Sequence, residues 1–244
     1  MNTLKTLLVT SALVLSTTAA FAQTYGSWND ASSSNQGGAG ASSGWQGSAT
    51  SSSGSNIING QVNLQNNWSN LTGSIDTTGS DATVTGAAAG NLVDITTMNN
   101  TRVNNSQIVG SSASIGSNIN VDVNNVWGNA TVANQVVCNG ASVSTDPTYS
   151  ATQNYQKCNA TDPFSGITTN ISNVAGNAVV QGSALGNTFE ADSNAPNMPI
   201  LSRQINNSGV TSNINTNLTN IGGTATLSSS AIGNSSQIIH YSTN

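Results

Sequence analysis

The chain repeats itself at intervals of about 48 residues, and this spacing constrains its fold more than any other feature. Ala82, Ala130, Ala178 and Ala225 occupy the same place in four similar stretches, at separations of 48, 48 and 47 residues. Within each stretch apolar and small polar residues alternate, a period of two that favours strands over helices. Because one such stretch cannot bury its own apolar side, the spacing predicts a stacked repeat architecture.

Shorter echoes refine this prediction. Residues 114–118 resemble residues 184–187 and fall between the full copies. They predict a basic unit of about 24 residues, so that each longer repeat would contain two coils. We therefore predict an all-β fold, a β-solenoid (β-helix) of about eight coils over residues 57–244. A β-sandwich and a largely disordered chain are the alternatives.

Small polar residues recur at fixed places in the repeats. Asparagines at one coil position are predicted to stack into a ladder of amide hydrogen bonds along the axis. Gly-Asn pairs close the strand runs, since both residues tolerate the left-handed backbone that a tight corner requires. The repeat-ladder residues predicted in this way are Asn125, Asn173, Asn220, Gly128, Gly176 and Gly223.

The N-terminal stretch predicts export. Lys5 precedes an apolar run at 7–15 and a run of small residues that ends at Ala22, which is the pattern of a signal peptide over residues 1–22. The alternative, a membrane anchor, needs about 20 continuous apolar residues, and polar residues interrupt this run. No later segment has that length, so we expect no transmembrane segment in the mature chain.

Residues 23–56 differ sharply in composition from the repeats that begin at Ile57. Between Gln23 and Asn56 there is no Val, Ile, Leu, Met or Phe. A segment without aliphatic residues cannot offset its ordering entropy, so we predict a Gly/Ser-rich, disordered and flexible segment. It would serve as a linker, or as a secretion or docking signal read through its Tyr and Trp residues.

Cys138 and Cys158 are the only cysteines. In an exported chain such a pair most often forms a disulfide. Closing a loop of about 20 residues would stabilise the fold by roughly 3 kcal/mol in the chain-entropy picture. With Pro147 between them, residues 138–158 are predicted to leave the coil as an excursion, and Pro196 and Pro199 are predicted to mark a second one.

Charge is scarce, and this excludes several classes of function. The chain has 4 Lys and Arg and 9 Asp and Glu among 244 residues. Nucleic-acid binding needs several phosphate contacts in one place, so no nucleic acid is expected as a partner. One His and two Cys are too few for a multi-ligand metal centre, and we predict no metal and no cofactor.

The main alternative to a structural, non-enzymatic function is a polysaccharide-cleaving or polysaccharide-binding β-helix. Hydrolysis needs two carboxylates at close range, and Glu190 and Asp192 are the densest pair. Such a pair is more commonly exposed to solvent or in contact with Ca²⁺, and we predict no catalytic residues and no enzyme. Trp68 and Trp127 would either pack at coil ends, the interpretation we favour, or present their rings to sugars.

The motifs Gly128-Asn129-Ala130-Thr131-Val132 and Gly176-Asn177-Ala178-Val179-Val180-Gln181 follow a Gly-rich N-terminal region that contains Tyr and Trp. In this pattern the chain resembles curli-type fibre subunits and the alphaproteobacterial surface proteins that anchor the adhesive holdfast. It departs from curli in its longer repeat, its irregular Gln spacing and its Cys pair, which favours a surface-anchor relative. The resemblance implies passage through an outer-membrane secretion pore and retention on the envelope with exopolysaccharide.

We therefore predict an exported, non-enzymatic structural or adhesive surface protein, either a polymerising curli-like fibre subunit or a holdfast or cell-surface anchor. Its expected partners are other copies of itself, an outer-membrane secretion pore or surface anchor proteins, and exopolysaccharide. The expected location is outside the cell or on the outer surface of a Gram-negative bacterium.

Overall fold

The described part of the chain consists of β-strands joined by tight corners. The computed structural model describes residues 55–98, 101–145, 150–194 and 199–241. The predicted signal peptide and residues 23–54 of the predicted flexible segment lie outside the described residues, as do Pro147 and Pro196. The strands are β1 (Ser55–Asn63), β2 (Asn67–Thr78), β3 (Ala82–Thr97), β4 (Thr101–Val109), β5 (Ser114–Val126), β6 (Ala130–Thr145), β7 (Ala151–Cys158), β8 (Thr161–Val174), β9 (Ala178–Ser193), β10 (Ile200–Asn206), β11 (Thr211–Ile221) and β12 (Ala225–His240).

These strands form three parallel sheets of four strands each. Sheet A has the order β1-β4-β7-β10, sheet B the order β2-β5-β8-β11, and sheet C the order β3-β6-β9-β12. From β4 onward, each strand therefore pairs with the strand three positions earlier in the chain, which belongs to the preceding turn. This is the arrangement of a β-solenoid. The predicted all-β solenoid is confirmed, and parallel pairing throughout the described strands excludes the β-sandwich.

The number of coils differs from the prediction. Ala82 pairs with Ala130, Ala130 with Ala178, and Ala178 with Ala225, so one turn takes about 48 residues. The described chain makes four coils of three strands each, namely coil 1 (β1–β3), coil 2 (β4–β6), coil 3 (β7–β9) and coil 4 (β10–β12). The prediction of about eight coils is wrong. The two similar segments on which it relied lie in different sheets, in β5 and in β9, and share strand chemistry without occupying equivalent coil positions.

The main apolar core lies between sheet B and the first half of sheet C. Alternation places one side of each strand inward, and columns of Val, Ile and Ala stack along the axis. Ile119 and Ile167 stack in one such column, and Val132 and Val180 in another, all of them buried. Each buried aliphatic side chain contributes roughly 1.5–3 kcal/mol of hydrophobic free energy.

The cysteines form a disulfide inside the solenoid. Cys138 in β6 and Cys158 in β7 are both fully buried, with a Cα–Cα distance of 6.0 Å. The position of Cys138 is taken by glycine in the other three coils, at Gly90, Gly186 and Gly233. The bridge therefore stands at a position that the other coils keep as glycine, and it joins sheet C of coil 2 to sheet A of coil 3.

The predicted excursion over residues 138–158 is wrong. Residues 138–145 continue β6, and residues 151–158 form β7, which pairs in register with β4 and β10. The second predicted excursion also lacks support at Pro199, whose carbonyl accepts a hydrogen bond from the Thr152 amide at 3.0 Å. Proline suits this position because its carbonyl, unlike its nitrogen, still joins the sheet. The strand begins at Ser55, two residues before the predicted solenoid boundary.

Candidate functional site

An asparagine ladder runs along the corner between sheets B and C. Asn220 Nδ2 donates to Asn173 Oδ1 at 2.9 Å, and Asn173 Nδ2 donates to Asn125 Oδ1 at 3.0 Å. Asn125 in turn donates to Asp76 Oδ1 at 2.7 Å. The structure thus brings the three predicted ladder asparagines together, and an aspartate in coil 1 ends the series.

These asparagines also make the turn. Asn125, Asn173 and Asn220 have φ of 54°, 55° and 53°, in the left-handed region, and Thr77 has the same conformation in coil 1 with φ of 58°. Asparagine adopts this region more readily than most residues because its short side chain hydrogen-bonds locally. The left-handed conformation was expected in the Gly-Asn pairs, such as Gly128-Asn129, and that expectation is wrong, because the corner asparagine before each pair adopts it instead.

The predicted glycines serve a different purpose, which is close stacking. A Cβ at Gly176 would lie 2.7 Å from the Gly128 carbonyl oxygen, and one at Gly223 would lie 2.9 Å from that of Gly176. The amide of each donates to the carbonyl of the glycine below at 2.9 Å. A side chain here would push the coils apart, so the column requires glycine for space and not for its backbone freedom.

A glutamine ladder fills the interior between sheet A and the second half of sheet C. Gln204 Nε2 donates to Gln156 Oε1, Gln156 to Gln107, and Gln107 to Gln61, at 2.8–2.9 Å. Each amide nitrogen also donates across the interior to a backbone carbonyl of sheet C in its own coil, at 2.8–3.0 Å. The accepting carbonyls belong to Leu92, Gly140, Thr188 and Ser235.

A second buried ladder runs in the opposite sense. Asn91 Nδ2 donates to Asn139 Oδ1, Asn139 to Asn187, and Asn187 to Asn234, at 2.7–2.9 Å. The glutamine ladder donates toward coil 1, whereas this asparagine ladder donates toward coil 4. Every coil contributes one member to each ladder, so the solenoid interior has a defined polarity along its axis.

Sequence reasoning missed both interior ladders. The glutamines stand 46, 49 and 48 residues apart, at positions 61, 107, 156 and 204, which is the repeat itself. The apparent irregularity of the Gln spacing came from counting all glutamines, including outward ones such as Gln153 and Gln181. Selecting glutamines by the 48-residue register alone would have found the ladder.

The two terminal coils are open at their outer edges. Inward-facing Leu71 in coil 1 is 39% exposed, whereas Ile167 in the same column of coil 3 is 2% exposed. Inward-facing Leu227 in coil 4 is 53% exposed, and Val180 below it is fully buried. Within the described residues nothing covers either end of the apolar columns.

The two tryptophans lie far apart. Trp68 is the second residue of β2, donates to Ser114 Oγ at 3.2 Å and lies against Gly116, and its side chain is about half exposed. Trp127 sits on the corner between sheets B and C and is 75% exposed, so the packing expected of it is wrong. They occupy opposite ends of sheet B and do not form one surface.

The carboxylates do not converge on a catalytic arrangement. Asp76 and Asp81 accept hydrogen bonds from Asn125 Nδ2 and the Asn129 amide, both at 2.7 Å, and so hold coil 2 on coil 1. Glu190 and Asp192 lie two residues apart on the outer side of β9. Among the residues that the structure describes, no three His, Cys, Asp or Glu side chains are grouped as a metal site would require.

Over the described residues, the fold and the ladders define a β-solenoid of four coils with an interior of stacked amides. No protein-family model, no curated protein and no solved structure gives a significant match to the chain. The resemblance to curli-type and holdfast-anchoring proteins therefore stays a prediction. Across the described ranges, no helix is long and apolar enough to cross a membrane.

Proposed function

We propose that the protein is an exported structural or adhesive surface component that assembles end to end, with coil 4 of one copy pairing with coil 1 of the next. The observation that carries this proposal is the polarity of the two interior ladders at the open ends. The role is non-enzymatic, and the occupant of each open edge is a second copy of the same chain.

The glutamine ladder ends in complementary groups. Gln204 is its last member, and no described glutamine donates to its Oε1 from beyond coil 4. Gln61 is its first member, and among the described residues it donates only to the Leu92 carbonyl, whereas Gln107 donates both to a carbonyl and to the preceding glutamine. Stacking places Gln61 Nε2 of the incoming copy against Gln204 Oε1 and continues the series.

The asparagine ladder selects the direction of joining. Asn234 would donate to Asn91 Oδ1 of the incoming copy, which is the reverse sense to the glutamines. Joining two C-terminal ends would place Gln204 Oε1 against its own symmetry mate, acceptor against acceptor. Only head-to-tail stacking completes both ladders, and such a heterologous contact that does not close produces a filament.

The backbone edges favour the same contact. A solenoid's last turn presents unpaired strand amides and carbonyls, and an uncovered edge is a template for another strand. Here β12 ends in Ser236-Gln237-Ile238-Ile239-His240, and this run, together with Tyr241 after it, contains no Lys, Arg, Asp or Glu. Stacking would also cover Leu227 and Ile238, which are more than half exposed in the single chain.

The site of action is inferred from the sequence. The signal-peptide pattern at 1–22 supports secretion, and the resemblance to curli-type and holdfast proteins supports the outer surface of a Gram-negative bacterium. Partners on this proposal are an outer-membrane secretion pore or surface anchor proteins and exopolysaccharide. Deleting the protein in its host should reduce attachment and biofilm, and unchanged attachment would refute the adhesive role.

Electron microscopy and thioflavin fluorescence of the purified chain test the assembly. The wild type should form unbranched filaments, and Leu227→Lys should abolish them because stacking would bury the new charge. Thr226→Lys is the matched control, since the neighbouring side chain points outward in β12 and stays in solvent. Circular dichroism should show both variants folded.

Two results would refute head-to-tail stacking. One is a wild type that stays monodisperse and monomeric at high concentration. The other is a Leu227→Lys variant that forms filaments as readily as the wild type.

A second candidate function is the binding or the cleavage of polysaccharide. The exposure of Trp127 favours binding. A bare indole at a corner can stack on a sugar ring. Trp127→Ala should then weaken retention on immobilised glycan while leaving filaments intact, with Trp68→Ala as a comparison. Cleavage would require product release that is lost in Glu190→Gln or Asp192→Asn.

A further inference from the structure

Positive charge is confined to one sheet among the described residues, whereas carboxylates lie in sheets B and C. Arg102, Lys157 and Arg203 are the only Lys or Arg residues in the described ranges, and all three lie in sheet A, on β4, β7 and β10. Each occupies an outward position, because the alternating neighbours such as Val103, Gln156 and Gln204 point inward. No described strand of sheet A contains an acidic residue.

The outer side of sheet A combines this positive charge with apolar and aromatic area. Tyr155 pairs in register with Arg203, whose guanidinium lies 6.0 Å from the centre of its ring. Ile108, Lys157 and Ile205 form the neighbouring column. We define the basic face as Arg102, Ile108, Tyr155, Lys157, Leu201, Arg203 and Ile205.

The second half of sheet C carries the opposite charge. Asp94 in β3 and Glu190 in β9 lie in one outward column, with Ser142 between them. Asp192 lies in the next outward column, beside Ser144. We define the acidic face as Asp94, Glu190 and Asp192, and the described strands of sheet C contain no Lys or Arg.

The two faces point away from each other. The inner side of sheet A packs on this same half of sheet C, as the four bonds from the glutamine ladder to sheet C carbonyls show. Val103 of sheet A joins Ile95, Val143 and Phe189 of sheet C in one buried cluster. Their outer sides are therefore the opposite surfaces of a two-layer slab, one basic and one acidic.

We propose that copies of this chain associate side by side, with the basic face of one copy against the acidic face of the next. The partner is a second copy because the chain itself carries the complementary surface, three cations against three carboxylates. The contact uses different patches on the two copies, so it can repeat without closing. It lies at right angles to the axial contact of the proposed function and uses none of the same residues.

The area of each face determines whether the side-by-side contact is stable between single chains or only between assemblies. Eight residues along a strand and four strands across give about 500 Å² per face. Stable pairs bury about 800 Å² per partner, so one contact between two single chains is weak. Many copies aligned in a filament or packed on a surface add their contacts, and we expect bundling of assemblies where monomers do not dimerise.

Electron microscopy of bundled against single filaments tests this proposal on the full mature chain. Lys157→Glu with Arg203→Glu makes the basic face acidic, and Glu190→Lys with Asp192→Lys makes the acidic face basic. Each double variant should form filaments but about tenfold fewer bundles, because like charges then meet. Mixing preformed filaments of the two variants should restore bundles. Sodium chloride at about 0.5 M should separate wild-type bundles, since it screens exposed charges.

The matched control moves added charge elsewhere. Thr168→Glu with Asn215→Glu places carboxylates on the exposed outer side of sheet B, which belongs to neither face. This variant should bundle as the wild type does. A control that loses bundling to the same extent would show an effect of net charge and overturn the pairing of faces.

Failure of the axial proposal is distinguishable from failure of this one. If no filaments form, the chain can be coupled densely to beads through its C-terminus, so that each bead presents many faces at once. Beads that carry the wild type should cluster at low salt. Beads that carry either double variant should stay dispersed. Dispersed wild-type beads would refute the lateral contact. A third outcome is bundling that requires added alginate and that only the basic-face variant loses. It would show that the partner of the basic face is an acidic polysaccharide and not a second copy of the chain.

Discussion

The inner coils and the terminal coils have the same design but different surroundings. In coils 2 and 3 each inward side chain lies between two neighbours of its own column, and Ile119, Ile167, Val132 and Val180 are buried. In coils 1 and 4 the equivalent side chains have, among the described residues, a neighbour on one side only, and Leu71 and Leu227 are exposed. Stability in this molecule therefore comes from having a coil on both sides more than from the sequence of any one coil.

Removing a core side chain should reveal the largest difference between the two regions. Ile167→Ala deletes a fully packed residue and should lower the free energy of unfolding by about 2–5 kcal/mol. Leu71→Ala removes a partly exposed residue of the same column and should cost about 1 kcal/mol or less. Urea denaturation of the single chain measures both, and equal losses would contradict the comparison.

Breaking the glutamine ladder should have a smaller effect that again depends on the coil. Gln156→Ala leaves buried Gln107 and the Thr188 carbonyl without their donor, at a cost of about 3 kcal/mol. Gln204→Ala leaves groups near the open end, which water can solvate, and should cost about 1 kcal/mol. Thermal unfolding of the two variants, measured in parallel, would detect the difference. If Gln156→Ala were more stable than Gln204→Ala, the result would count against a structural role for the ladder.

Substitutions of the corner asparagines should have the smallest effect on stability. They separate the contribution of the left-handed backbone from that of the side-chain hydrogen bonds. Asn173→Ala forces an ordinary residue into left-handed geometry and should cost about 1–2 kcal/mol. Asn173→Gly tolerates that geometry and loses only the exposed amide bonds, so it should cost about 0.5 kcal/mol. If both variants lose the same stability in chemical denaturation, the ladder and not the turn conformation determines the choice of residue.

The repeat and the strand type were predictable because they depend on residues that recur in register. The four alanines from Ala82 to Ala225 set the period, and alternation set the strands. The coil length was not predictable from the short echo, because similar strands can lie in different sheets of one turn. The corner asparagines were recognisable since their neighbours also repeat.

The interior glutamines were harder to find for a physical reason. Packing constrains only the inward residue, so the outward neighbours vary, from Gly60 and Val62 around Gln61 to Tyr155 and Lys157 around Gln156. The disulfide partners were predictable by elimination, but their place was not. Nothing in the local sequence shows that Cys138 stands where other coils need a glycine.

The bridge between Cys138 and Cys158 also bears on how the chain folds. Each rung of this molecule brings together residues about 48 positions apart, so every layer must close a long loop before it gains contacts. Proteins dominated by such distant pairings fold slowly. The cystine closes a much shorter loop of 20 residues across two successive turns. An oxidised chain therefore starts with its central turns already tethered, whereas a reduced chain must search for that alignment unaided.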